Sequence, residues 1–125
     1  MENSTNLWVE AIGTAIWHEL NKVDKVGEDK APTQSIRKEL EEKANEIYQR
    51  IKNDYVAYTE FVIVLNHKCW DWYERANATT DKKDEARKRA ISKNYADLYY
   101  LYDNKFFEDY KENKKALQYF VEVTD

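Results

Sequence analysis

The stretch DYVAYTEFVIVLNHKCWDWYERA, residues 54–76, decides the fold. Read at 3.6 residues per turn, Tyr55, Tyr58, Phe61, Val62, Leu65, Cys69, Trp72 and Ala76 fall on one face, and Val56, Ile63 and Val64 widen it. No other segment is apolar over so much of its circumference, so this one is expected at the buried centre with covering helices on more than one side. The same residues also suit a strand, because Val, Ile, Tyr, Phe and Thr are frequent in 55–65. That alternative is an α+β fold with a small two-stranded element formed by 55–65 and 117–123.

Composition favours the helix. Two glycines and one proline leave few breakers in 125 residues, 35% of which are charged. A mean hydropathy of −0.93 resembles that of a disordered chain, but the 42% of residues that are hydrophobic recur periodically and can build a core. The expectation is all-α: one helical domain over residues 1–125, a bundle of four to five helices. By size scaling it buries roughly two-thirds of the surface its unfolded chain exposes.

Working outward, Trp8, Val9, Ile12, Ile16, Leu20 and Val23 form a stripe that predicts a helix over 6–23, capped at Thr5 or Asn6. DKVGEDKAPT then reads as a connection ending in a cap at Thr33 or Ser35. From Ile36 the pattern continues through Leu40, Ala44, Ile47, Ile51, Tyr55 and beyond, without glycine or proline before Ala76. A single helix over 34–76 would be about 64 Å long, against a radius of gyration near 14 Å for a compact domain of this size. Such a rod would need a dimer to cover it, which makes a homodimer one possible assembly. Asn53-Asp54 is the place to divide it, giving helices over 34–52 and 54–77.

A turn at NATTDKKDE starts the next helix, with Thr79, Thr80 or Asp81 as cap. Its stripe of Ile91, Tyr95, Leu98, Tyr99, Tyr102, Phe106 and Tyr110 is mostly tyrosine, and each buried hydroxyl needs a partner. Asp103-Asn104 is a candidate interruption, and ALQYFVEV at 116–123 is a last short helix or a strand. The core is expected to include Trp8, Ile12, Ile16, Ile47, Ile51, Tyr58, Val62, Leu65, Trp72 and Leu98.

The chemistry-bearing residues are sparse. His67, Asp71 and Glu74 fall at i, i+4 and i+7, with Glu60 two turns earlier, a donor set that suits zinc, manganese or iron. A competent site also draws ligands from a second helix, and none has recognisable spacing. These residues therefore read as a solvated polar strip, with a metal-dependent enzyme as the rival reading and no cofactor expected. His67 and Cys69 point about 200° apart on a helix and cannot share a proton. His18-Glu19 lacks the second histidine of H-E-x-x-H, since position 22 is lysine.

Glu39, Glu41, Glu42 and Glu46 contain the E-x-x-E pattern of magnesium-dependent all-α nucleotide pyrophosphohydrolases. The nearest second pair, Asp81-x-x-Asp84, stands beside two lysines at a helix start. Pairs such as Glu39 with Lys43 and Glu46 with Arg50 explain the run more simply.

One cysteine and no basic, apolar leader point to a cytoplasmic protein, and no apolar run is long enough to span a bilayer. The net charge of −4 disfavours general attraction to nucleic acid or membrane. Lys82, Lys83, Arg87, Lys88, Arg89 and Lys93 nevertheless make a basic arc that leaves nucleic acid open as a partner. Four tryptophans and ten tyrosines exceed what so short a chain readily hides, the composition of a protein-binding surface.

The expected function is a non-enzymatic interaction module that binds another macromolecule, most naturally a protein. A phage-type or mobile-element inhibitor of a nucleic-acid-directed host complex is an alternative of the same class. The candidate partner-binding residues are Tyr100 and Phe107, which project from one side of their helix, with Arg87, Lys88 and Lys93 steering the approach.

Overall fold

The computed structural model describes the backbone of residues 2–28 and 33–109 and the side chains of 11–25 and 33–109. These residues form α1 (Glu2–Glu28), α2 (Thr33–Ile51), α3 (Tyr55–Asn77) and α4 (Lys82–Asp109). No strand occurs among the described residues, and 55–65 lies wholly within α3, which overturns the α+β alternative. Burial gives the reason: Tyr58, Phe61, Val62 and Leu65 are buried while Val56 and Ile63 are exposed, a helical repeat and not an alternation. The segments 117–123 and ALQYFVEV, and Tyr110, lie outside the described residues.

The long apolar pattern breaks at Asn53-Asp54, so the 34–76 rod does not form. Asp54 adopts extended backbone (φ −111°, ψ 108°), and its Oδ1 accepts the Ala57 N–H at 3.1 Å, starting α3. Asp81 acts in the same way for α4, accepting from the Lys83 and Asp84 amides at 2.9 and 3.1 Å. Two expected boundaries are corrected. The first helix is longer than 6–23 and carries Asp24, which three donors from α3 and α4 hold in place. The fourth runs through Asp103-Asn104 without interruption, because Tyr102 and Phe106 on either side pack onto Phe61 and Tyr58.

α3 packs most extensively on α4, then on α1; α1 also meets α2, and α2 meets α4. The helices thus close a ring in the order α1, α2, α4, α3, with α2 and α3 touching across its diagonal. Facing residues fix the directions. α1 and α3 are parallel, with Gly13 beside Glu60 and Asp24 beside Trp72. α3 and α4 are antiparallel, with Tyr58 on Phe106 and Cys69 on Ser92. The solvent face of α3 therefore points away from α2 and is bordered by α1 and α4.

Of the expected core, Ile16, Ile47, Tyr58, Val62, Leu65, Trp72 and Leu98 are buried, and Ile12 and Ile51 are half-buried against it. The side chain of Trp8 lies outside the described residues. Buried tyrosines of α2, α3 and α4 place their hydroxyls on carboxylates. Tyr48 and Tyr58 both donate to Asp109 Oδ2, at 3.1 and 3.2 Å, and Tyr95 donates to Asp24 Oδ1 at 2.6 Å. Burial and then the adjacent carboxylate push the Tyr58 and Tyr95 phenols well above their ordinary range.

Lys68, a charged residue inside the most apolar stretch of the sequence, is fully buried. Its Nζ donates to Asp24 Oδ2 at 2.6 Å and to Asn21 Oδ1, and stands 3.8 Å from the centroid of the Trp17 ring. Asp24 Oδ1 accepts Trp72 Nε1 at 3.1 Å as well as the Tyr95 hydroxyl. One compensated charge pair therefore ties α1 to both α3 and α4; neither charge could be buried alone.

The pairing expected within α2 is also corrected. Lys43 approaches Glu46 at 3.5 Å rather than Glu39, while Arg50 turns away from Glu46 and clasps Glu19 of α1 at 2.9 and 2.5 Å. A bidentate fork onto a neighbouring helix outcompetes a flexible pair along the same one.

Candidate interaction surface

Each helix buries one stripe, and what stands opposite that stripe faces solvent. On α3 the opposite side carries Val56, Ile63 and Trp70, recurring every seven residues with a drift of only about 20° per step. On α4 it carries Tyr100 and Phe107 at the same spacing. Trp70, Tyr100 and Phe107 are 56, 64 and 49% exposed, large values for side chains of this size. Among the described residues, every large hydrophobic exposed to this degree belongs to α3 or α4, and none to α2. Tyr73 links the two helices: its ring meets Trp70 edge-on at 5.5 Å, and the Arg89 guanidinium of α4 stands over it at 5.5 Å.

The residues singled out in the sequence divide into two groups. Tyr100, Phe107 and Lys93 share the outer face of α4, with Lys93 seven residues before Tyr100 and exposed. Arg87 and Lys88 do not join them. They fall near the direction of the buried stripe, are half-buried, and line a different depression of about 760 Å³ at the end of the bundle, with Trp72, Arg75 and Lys83. Lys88 is engaged there by Asp84 at 3.1 Å and Thr79 Oγ1 at 2.8 Å. Arg89 of the basic arc also lies on the outer face beside Lys93, paired with Glu85 at 2.8 Å.

The structure does not gather the metal candidates. His67 and Glu74 are exposed, and half-buried Asp71 lies 3.1 Å from Arg75, at an angle that makes an ion pair but no hydrogen bond. No group of three or more histidine, cysteine, aspartate or glutamate side chains among the described residues could hold a metal ion. Cys69 is half-buried, with Sγ 3.6 Å from Ser92 Oγ, whose hydroxyl donates to the Cys69 carbonyl at 2.8 Å. It is part of the α3–α4 contact.

Ile63 and His67 form a ridge with a groove on either side. Toward α1 lies a groove of about 330 Å³ lined by Gly13, Trp17, Glu60 and Val64; toward α4 lies one of about 340 Å³ lined by Val62, Asn66, Tyr99, Asp103 and Phe106. Gly13 lets Glu60 lie close to α1, since a Cβ at that position would sit 2.9 Å from Glu60 Oε2. Burial raises the Glu60 carboxyl above its ordinary value, and nearby His67 offsets this in part. Comparison of the chain with protein-family models, with curated proteins and with solved structures gives no match. No helix among the described residues is long and apolar enough to cross a membrane.

Proposed function

We propose that this protein is a non-enzymatic interaction module that binds another protein through the outer surface of α3 and α4. The observation that carries this reading is the concentration of exposed Trp70, Ile63, Tyr100 and Phe107 on those two helices. Exposed aromatics cost solubility, whereas an aromatic desolvated at an interface centre contributes about 2 kcal/mol or more to affinity. Tyr100 and Phe107 are the anchors, and Lys93 and Arg89 lie at the rim, where charge sets encounter rate and salt dependence. The reading places the module in the cytoplasm, where its one cysteine stays reduced.

The test is affinity capture with the double variant Tyr100→Ala/Phe107→Ala. The reading expects a variant with the melting temperature of the parent that no longer retains the partner. A large fall in stability would assign both residues to the fold instead.

A further inference from the structure

The two grooves beside the Ile63–His67 ridge combine apolar walls with carboxylates. Trp17, Ile63 and Val64 wall the groove that holds Glu60; Val62, Tyr99 and Phe106 wall the one that holds Asp103. No lysine or arginine lines either groove among the described residues. By contrast, Glu19, Glu41, Asp84 and Glu85 are each paired with a cation of the same chain.

Two features of the α1 groove run against stability. Gly13 stands inside a helix, where glycine costs about 1 kcal/mol relative to alanine. The space its missing Cβ leaves is occupied by the Glu60 carboxylate, which is half-buried and has no lysine or arginine in contact among the described residues. An alanine at 13, with the end of the Glu60 side chain swung aside, and a neutral glutamine at 60 are both open alternatives. Sites that sacrifice stability in this way are characteristic of function.

We infer that the Ile63–His67 ridge and its flanking grooves dock a cationic amphipathic segment of the partner protein, with arginine or lysine side chains reaching Glu60 and Asp103. The inference rests on the interaction-module reading and names the chemistry of its partner. Apolar residues of the segment pack on Ile63, Trp17 and Phe106, in the manner of a helix laid in a groove. Its basic residues supply the counter-charge that Glu60 lacks. The protein's net charge of −4 favours the same encounter at long range.

The test titrates the full chain, followed by amide NMR and calorimetry, with a synthetic amphipathic peptide carrying leucines at i, i+3, i+4 and i+7 flanked by arginines. A counterpart with glutamate for each arginine is the charge control. The expected result is saturable binding of the basic peptide only, with shifts centred on Gly13, Glu60, Ile63 and His67. Glu60→Gln/Asp103→Asn should weaken it roughly tenfold, the combined loss of two solvent-screened charged contacts. Gly13→Ala, which crowds the carboxylate, should weaken it while keeping the fold.

Glu39→Gln/Glu42→Gln removes the same charge from the remote surface of α2 and should leave affinity unchanged. Equal weakening by that variant would mean nonspecific attraction and overturn the proposal. So would shifts confined to residues 110–125, or a dimer of this chain that the peptide dissociates, since either puts another occupant on the ridge. A captured partner lost on Tyr100→Ala/Phe107→Ala but indifferent to Glu60 and Asp103 would refute this inference and leave the module reading standing.

Discussion

Lys68 Nζ lies 2.6 Å from Asp24 Oδ2, with both side chains sealed from solvent, so the parallel pairing of α1 with α3 is fixed by a buried charge pair. Apolar contacts alone would tolerate a shift of α1 along α3. A lysine that must meet a carboxylate, itself bound to Trp72 and Tyr95, permits one register.

Lys68→Met is expected to cost about 3–5 kcal/mol, because it strands the Asp24 charge in the core. Adding Asp24→Asn should recover more than half of that loss. Asparagine removes the charge and keeps an oxygen to accept from Trp72 and Tyr95. Urea denaturation of the single and double variants measures both terms, and additive losses would mean that the charge pair does not set the penalty.

The half-buried carboxylate of Glu60 makes a prediction of opposite sign. Its folded-state pKa is raised above the ordinary 4.5, so its contribution favours the fold below that value and is lost as pH rises through the folded value. Glu60→Gln should therefore raise the melting temperature near neutral pH and give no gain below about pH 4. The side chains lining the groove around Glu60 are Thr14, Trp17, Ile63, Val64 and His67, of which His67 alone is an ionisable type. Repeating the comparison in His67→Asn isolates Glu60, and a neutral-pH loss of stability in Glu60→Gln would contradict the account.

Glu19 behaves as an ordinary paired carboxylate. The hydrogen-bonded Arg50 fork holds its pKa below 4.5, so the stabilisation is present above that value and disappears as pH falls through the folded value. Arg50→Gln should lower the melting temperature modestly at neutral pH, with the difference closing toward about pH 3. Half-exposed Arg50 and solvent screening keep the effect small. Thermal melts of both proteins across that range decide it.

Much of this fold was legible because its decisive signals are local. Asp54 is a capping residue at the one point where a long periodic pattern had to divide, and the α3 stripe marks its own buried face. The outward direction of Tyr100 and Phe107 also follows from helical spacing against Leu98 and Tyr102. Lys68 was half-legible: it continues the series Leu65, Lys68, Trp72, Ala76, yet its neighbours Asn66 and His67 suggested solvent.

What the sequence could not show depends on helices meeting. Asp24 falls in a run that reads as a connection, and its burial follows only from the parallel pairing of α1 with α3. The same holds for Arg50, which pairs across helices, and for Arg87 and Lys88, which face the end of the bundle while Arg89 faces outward. Gly13 was the available signal for the α1 groove, since a glycine inside a strongly periodic helix marks a close approach.

The central claim is that the outer surface of α3 and α4 is where a protein partner binds. Hydrogen–deuterium exchange of the captured complex tests it most directly. The account predicts added protection over residues 56–70 of α3 and 96–107 of α4, with 33–51 of α2 unchanged. Protection centred on α2, or on the depression bounded by Arg75, Lys83 and Arg87, would contradict it.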